Sequence, residues 1–161
     1  MGKTYIGIDN GVSGTIGIIS DTETKFIHTP TIKVQDYTKA KKIISRLSAI
    51  DFYDLLSGID ASNAFAVIER PMVNPTRFAA TASALRCHEA MLITIEILGI
   101  PYQFIDSKEW QREMLPKGYK DGETKEASLE IGNRLFPQLR EFKHPDRDGI
   151  LIAEYARRKN L

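Results

Sequence analysis

The sequence contains a single cysteine, Cys87, among 161 residues. That excludes an internal disulfide and any zinc site built on thiolates, and leaves a free, buried thiol as the expected state. No apolar run approaches the roughly 20 residues a membrane span needs, and Met1–Lys3 leads into a strand-like run instead of a secretory leader, so a cytoplasmic protein is expected. Repeats and low-complexity tracts are lacking too. The length leaves room for one domain with a core, residues 1–161, and not for two ordinary ones. Nor is there an excess of charge of either sign: a net charge of +1 gives no general case for a polyanionic partner.

What charge there is falls in blocks. Residues 25–47 carry Lys25, Lys33, Lys39, Lys41, Lys42 and Arg46 against Asp36 alone, and residues 70–86 carry Arg70, Arg77 and Arg86 with no acid. Residues 48–69 and 87–107 are acidic. A near-neutral total built from opposed blocks suits a nucleic-acid binder that keeps an acidic pocket, although solvated surfaces show such segregation as well.

The hydrophobic pattern reads as strands first and helices later. Lys3–Ser20 is apolar through Tyr5, Ile6 and Ile8, breaks at Asn10-Gly11 and resumes with Ile16, Ile18 and Ile19, a hairpin signature. Lys25–Thr29 adds a third strand, and Pro30–Tyr37 reads as a loop. Thr38–Gly58 is ambiguous between helix and extended chain, with only Asp51–Ser57 assigned as helix. Ala64–Glu69 reads as a buried strand stopped by Pro71. The clearest helix is Thr76–Leu98, with Phe78, Ala82, Leu85, Leu92 and Ile95 on one stripe and Gly99-Ile100-Pro101 ending it. Pro101–Ile105 is another strand, and Ser107 reads as the N-cap of a short helix holding Trp110 and Leu115. Residues 116–123 form a Gly/Lys-rich loop, Thr124–Phe136 a helix, and Pro145–Lys159 a last amphipathic helix. The order describes an α/β protein, a mixed sheet covered by helices.

Three carboxylate positions stand out. Asp9 lies within a central strand run, where a charge is costly unless it binds something, though with Asn10-Gly11 it would also serve to begin a turn. Glu69 closes the second apolar strand. Asp146 and Asp148 open the last helix, where acids also suit the helix dipole. Carboxylates at strand ends and a helix start, roughly 60 and 80 residues apart, are how a fold assembles an oxygen-rich cage from distant segments. Such hard ligands suit Mg²⁺ or Mn²⁺, and two ions about 4 Å apart are a device for phosphodiester cleavage.

The segments Ile6-Gly7-Ile8-Asp9-Asn10-Gly11-Val12-Ser13-Gly14-Thr15, Val67-Ile68-Glu69-Arg70-Pro71 and Asp148-Gly149-Ile150-Leu151-Ile152-Ala153-Glu154-Tyr155 resemble, in order and spacing, the carboxylate motifs of RuvC-like Holliday-junction resolvases of the ribonuclease H-like superfamily. Ala79–Leu98 with Gly99-Ile100-Pro101-Tyr102 resembles the long helix and next strand of that family, and Thr124-Lys125-Glu126 the start of its next helix. The resemblance covers almost the whole chain. The short length and the Trp110-Gln111 segment resemble the phage-type branch.

The resemblance implies a ribonuclease H-like mixed five-stranded sheet flanked by helices. It further implies a Mg²⁺-dependent endodeoxyribonuclease, with Mn²⁺ able to substitute and two ions per site. The active form would be a homodimer cutting symmetrically placed strands of a four-way DNA junction. Asp9, Glu69 and Asp148 would be ligands, with a fourth three or four residues before Asp148. Pro145, three before, cannot ligate. His144, four before, shares a helical face with Asp148, whereas Asp146, two before, is the better donor chemically and is taken as the fourth ligand. A wedge aromatic is implied shortly after the central glutamate, where this chain has Met72, with Phe78 further on. Arg70, Arg77, Lys108, Lys117, Lys120 and Lys125 are candidate phosphate contacts. Met91, Ile93 and Ile97, apolar beyond the main stripe of the long helix, are candidates for a dimer interface, while Met91 and Met114 also read as core.

Other readings compete. The same fold serves broader nucleases of branched DNA or structured RNA. Gly7-x-Asp9-x-Gly11 also resembles the phosphate loop of actin-like ATPases and sugar kinases, but those need two such domains. A catalytically inactive DNA-binding module would not need Asp9, Glu69 and Asp148 together. Gly2-Lys3-Thr4 lacks the upstream glycine of a P-loop, and nothing in the pattern supports a triad of Ser13 with His28 or His88.

Overall fold

The computed structural model describes residues 2–120 and 122–161. Strands β1 (Thr4–Ile8), β2 (Thr15–Ile19) and β3 (Thr24–His28) form an antiparallel meander in which Ile8 faces Ile16 and Thr15 faces His28. A separate two-stranded ribbon follows, β4 (Thr31–Gln35) and β5 (Ile43–Leu47), and then helix α1 (Ala49–Ser57). Strand β6 (Ala64–Glu69) joins β1 in parallel with Ile68 beside Ile8, and β7 (Tyr102–Ile105) joins β6 after the long helix α2 (Phe78–Ile97). The sheet order is β3-β2-β1-β6-β7, the mixed five-stranded arrangement expected from the sequence. Helices α3 (Ser107–Met114), α4 (Thr124–Leu135) and α5 (Asp148–Lys159) complete the chain.

Strand periodicity sorts the core onto two faces. Ile6, Ile8, Ala66 and Ile68 pack with Leu56 of α1 and Met91 and Ile95 of α2. Their neighbours Tyr5 and Val67 pack on the other side with Trp110 of α3, Ile131 of α4 and Leu151, Ile152 and Tyr155 of α5. A period of two carries Asp9 and Glu69, the next odd positions along two adjacent parallel strands, onto that second side, at neighbouring strand ends.

Helix α5 comes closer to the sheet than side chains would allow. A Cβ on Gly7 would overlap the backbone of Ala153, one on Gly17 would overlap Ile150, and one on Gly149 would lie 2.6 Å from the Thr15 carbonyl oxygen. Backbone therefore rests on backbone, and every residue from Gly149 to Ala156 is buried.

Several sequence expectations need correction. Pro30–Tyr37 is no loop: Thr31–Gln35 is a strand that exists through its partner Ile43–Leu47, and a half-exposed ribbon carries too few apolar residues to announce itself. Helix α1 begins two residues early because the Ser48 hydroxyl accepts the Asp51 N–H. On α2 the buried residues are Cys87, Met91, Thr94 and Ile95, while Phe78 and Leu85 are exposed, because its first turns bury no side chain. Asp106, not Ser107, caps α3. Helix α4 ends one residue before Phe136. Finally, α5 begins at Asp148 and not at Pro145, which removes His144 and Asp146 from the helix altogether. Cys87 is free and buried, as expected.

The flush seat of α5 makes glycine obligatory at position 17. Gly17→Ala should destabilise the chain by about 2–4 kcal/mol in urea unfolding, since neither backbone can yield cheaply. Gly58→Ala is the control: a Cβ there meets nothing within 4 Å and φ is −84°, so stability should stay within about 0.5 kcal/mol or rise slightly. Equal effects of the two changes would contradict this account of α5.

Candidate metal centre

Asp9 is the first residue beyond β1, not a mid-strand residue, and its N–H still donates to the Thr15 carbonyl at 3.0 Å, so the ladder with β2 holds its backbone. Gly14 N–H donates to Gly11 O at 3.0 Å and closes the turn that follows. Gly11 sits there at φ +130°, a conformation that other residues resist.

The start of α5 is fixed by side chains that take its free backbone donors. Arg147 N–H donates to Ser128 Oγ at 3.0 Å, Asp148 N–H to Asp146 Oδ1 at 3.2 Å and Gly149 N–H to Thr15 Oγ1 at 3.0 Å. These are orphan groups at a helix N-terminus, and α4, the preceding loop and β2 each supply one acceptor. Ser128 Oγ in turn donates to Asp148 Oδ1.

This arrangement brings oxygens of Asp9, Asp146 and Asp148 within 4.8 Å of one another. Glu69 stands outside that trio but close enough for its charge to act on Asp9 and Asp148, and its Oε2 accepts the indole N–H of the fully buried Trp110 at 2.6 Å. His144 does not join the cluster. Its Nε2 lies 3.2 Å from Ser13 O and its Nδ1 accepts the Asp146 N–H at 3.3 Å, so both ring nitrogens are engaged by protein.

Burial and like charge govern the electrostatics. Desolvation, then the charges of Asp148, Glu69 and Asp146, hold the Asp9 carboxyl well above the usual carboxylate range. Burial and the neighbouring Asp146 push Asp148 up to about 7, against the hydrogen bond from Ser128. Burial also raises Glu69, opposed by the Trp110 bond. Among the described residues, Lys125 is the cation whose field opposes the shifts of Asp9 and Asp148. The cluster is thus short of positive charge. Beside it the buried Asn10 Oδ1 has no hydrogen-bond partner, a further hard oxygen in the wall of the cleft.

A cleft of about 590 Å³ opens beside the cluster at Asp9, and Asp9, Glu69, Arg70, Met72 and Lys108 line it. Arg70 pairs there with Asp106 at 3.0 Å. Of the six cations read as phosphate contacts, Arg70 and Lys108 therefore reach the cleft and Lys125 the field of the cluster. Arg77 stands exposed at the N-cap position of α2, where its side chain makes no capping bond, and Lys117 and Lys120 are exposed on the loop before α4. Met72 is 78% exposed at the cleft, whereas Phe78, 81% exposed, lines a different groove. Sequence reasoning missed Trp110, Ser128, Thr15 and Arg147 as supports of the site. For Trp110 there was a signal: a buried indole requires an acceptor.

No protein-family model matches the sequence, and no curated protein matches it either. Solved structures do. RuvC of Thermus thermophilus in complex with a Holliday junction substrate superposes with a TM-score of 0.57 at 12% identity, over 98% of this chain and 96% of that one. A second Thermus thermophilus RuvC structure gives 0.53 at 14% identity with the same coverage. The fold is that of RuvC. Within this RuvC-like fold, no helix among the described residues is long and apolar enough to cross a membrane.

A pH dependence follows from Asp148. Its folded pKa of about 7 lies above its unfolded value near 3.9, so its stabilising contribution is complete below about pH 4 and is lost as pH rises through 7. In chelator-treated protein, wild type should lose on the order of 2–3 kcal/mol relative to Asp148→Asn between pH 5 and pH 8, read by thermal unfolding. Parallel pH profiles for the two proteins would refute the shift.

Proposed function

We propose that this chain is a divalent-metal-dependent, structure-selective endodeoxyribonuclease that resolves four-way DNA junctions by paired strand cuts during recombination or replication. The observation that carries the reading is the convergence of Asp9, Asp146 and Asp148 within 4.8 Å beside Glu69, at the strand ends of a RuvC-like sheet. All the donors are hard oxygens, the field of Lys125 does not cancel the raised pKa values of Asp9 and Asp148, and both properties fit Mg²⁺ or Mn²⁺, two ions per site. Such ions supply Lewis-acid charge that lowers the pKa of a water nucleophile and offsets charge on the departing oxygen.

The chain's own residues hold and aim that machinery. Trp110 fixes the rotamer of Glu69, Ser128 fixes Asp148, and Asp146 is the fourth ligand, with His144 positioning it through its backbone N–H. Arg70 and Lys108 at the rim, with Lys125, Arg77, Lys117 and Lys120 further out, hold phosphates without reading bases. Met72 borders the cleft, which supports it over Phe78 as the residue that parts strands at the junction centre.

Residues 1–161 act as one nuclease domain, in the bacterial cytoplasm, and the Trp110-Gln111 segment supports placement in the phage-type branch. Paired cuts need two clusters and therefore a homodimer. An apolar groove of about 390 Å³ between α1 and α2, with Ile50, Tyr53, Ile93 and Ile97 exposed along it, supports that face as the interface. Met91, a candidate for the same interface, is instead fully buried in the core.

Three measurements test the reading. Wild type with Mg²⁺ should cut a synthetic four-way junction and leave a matched linear duplex intact. Asp9→Asn should abolish cutting while binding of the junction persists. Asp146→Asn should cost orders of magnitude and His144→Ala roughly tenfold or less, since the imidazole only braces the aspartate. The reverse ranking would reassign the ligand, and equal, small losses would mean that Asp9, Glu69 and Asp148 suffice.

The dimer has its own test. Sedimentation of wild type at micromolar concentration should show a dimer and Ile97→Asp a monomer with an unchanged circular dichroism spectrum. Monomer alone for wild type, with and without DNA, would count against it.

A further inference from the structure

The β4–β5 ribbon is unexplained by the cleft. It stands apart from the main sheet, and an isolated two-stranded ribbon has little stability of its own. Yet it carries Lys33, Lys39, Lys41, Lys42 and Arg46 and leaves Tyr37 76% exposed at its tip. Its acid, Asp36, is occupied locally: Oδ1 accepts the Thr38 N–H at 3.2 Å and the Thr38 hydroxyl at 2.8 Å.

Between this ribbon and the first turns of α2 runs a groove of about 610 Å³. Tyr37 and Lys42 line it from the ribbon, and Phe78, Ser83 and Arg86 from the helix. The helical wall is where α2 buries no side chain, so Phe78 spends its exposure on nothing in the isolated chain. Val12 also lines the groove, and Val12 belongs to the turn that begins at Asp9. Groove and catalytic cleft are therefore joined by one turn.

We infer that this groove binds an unpaired DNA strand continuous with the strand in the cleft, with bases against Tyr37 and Phe78 and phosphates against Lys42 and Arg86. The identification of the strand as DNA rests on the nuclease reading above. Exposed aromatics interleaved with cations are what single-strand binding uses: every base has a face to stack, and the charges follow the backbone. The volume matches a small-molecule site, about one or two nucleotides. A splayed or gapped branch, with bases free to leave the stack, is the substrate feature that this surface selects.

The experiment uses the full chain in chelator, with anisotropy of labelled oligonucleotides: a 12-mer single strand, the matched duplex, and a junction with or without a single-stranded gap. Wild type should bind the single strand more tightly than the duplex, and the gapped junction more tightly than the closed one. Tyr37→Ala and Phe78→Ala should each weaken the single strand roughly tenfold and the duplex little, with Tyr37→Phe restoring binding. The Lys42→Gln, Arg86→Gln double variant should flatten the salt dependence of single-strand binding.

The inference is overturned if the alanine variants bind the single strand as wild type does. It is also overturned if they weaken duplex and single strand alike, or if they alter sedimentation and leave DNA binding untouched, which would make the groove a contact between copies. Failure of wild type to cut any junction with Mg²⁺, alongside the expected single-strand results, would remove the nuclease reading and leave the groove standing.

Discussion

The seating of α5 on bare sheet backbone is the constraint from which the site follows. Gly7 and Gly17 on the strands and Gly149 on the helix remove the side chains that would hold the layers a normal distance apart. With the helix that close, Thr15 reaches the Gly149 N–H, and Asp148 at the first helical position lies over the end of β1. The approach also explains the burial of Glu154, whose desolvation is outweighed by Arg157 and Arg158 hydrogen-bonding to both of its oxygens, so that its carboxyl stays below the usual range. A carboxylate sunk to 3% exposure in a helix this tightly packed requires such partners.

A second buried charge shapes the loop that carries Asp146. Arg147 is 1% exposed, and all five of its guanidinium donors are used: Nε on Asn133 Oδ1, and the terminal nitrogens on the carbonyls of His144, Asp146, Leu139 and Phe142. Four backbone carbonyls from one loop converge on one fork, which fixes the path from Leu139 to Asp146 without any regular secondary structure. Only a planar group with five donors could do this; an ammonium has three. Gly132 leaves the space that the arginine stem fills. The pinned loop delivers Asp146 against Asp148 at the expense of like-charge repulsion, which shows in the raised Asp148. The dipole of α5 favours a negative charge at its N-terminus by about 2 kcal/mol at most, too little to offset a shift of that size.

How much of this was readable beforehand depended on whether the signal was local. The apolar runs around Tyr5–Ile8 and Ala64–Ile68 marked two buried strands, and a carboxylate in each stood out against them, so Asp9 and Glu69 were found; the face they share emerged only from the parallel register of β1 and β6. The β4–β5 ribbon was not legible, since each strand is half exposed and neither has meaning without the other. Nor was the start of α5: Pro145, Asp146 and Asp148 carry the signature of a helix N-terminus, but Arg147's bonds to loop carbonyls hold the chain out of helical geometry until Asp148. The choice between His144 and Asp146 could not be made from helical spacing, because neither residue is helical. The roles of Trp110 and Ser128 depend on partners 41 and 20 residues away, distances over which sequence spacing carries no geometric information.

The near-neutral net charge takes on a different meaning once its location is known. The acids that matter stand together at the start of α5 and the strand ends beside it, Asp146 buried and Asp9, Glu69 and Asp148 half-buried, and many of the bases stand on the ribbon, the rim and the loop before α4. A polyanion meets the exposed charges first, since surface fields act over roughly 8 Å in physiological salt. At the end of its approach a phosphate diester would face Asp9, Asp146, Asp148 and Glu69 together. In the isolated chain near neutral pH, partial protonation of Asp148, whose pKa is pushed up to about 7, partly relieves that repulsion, and the raised pKa of Asp9 acts in the same direction. Protons cancel the repulsion but offer the phosphate no attraction. The arrangement that makes these carboxyls reluctant to ionise is therefore also the one that rewards a divalent cation, which can replace the protons and leave positive charge facing the strand.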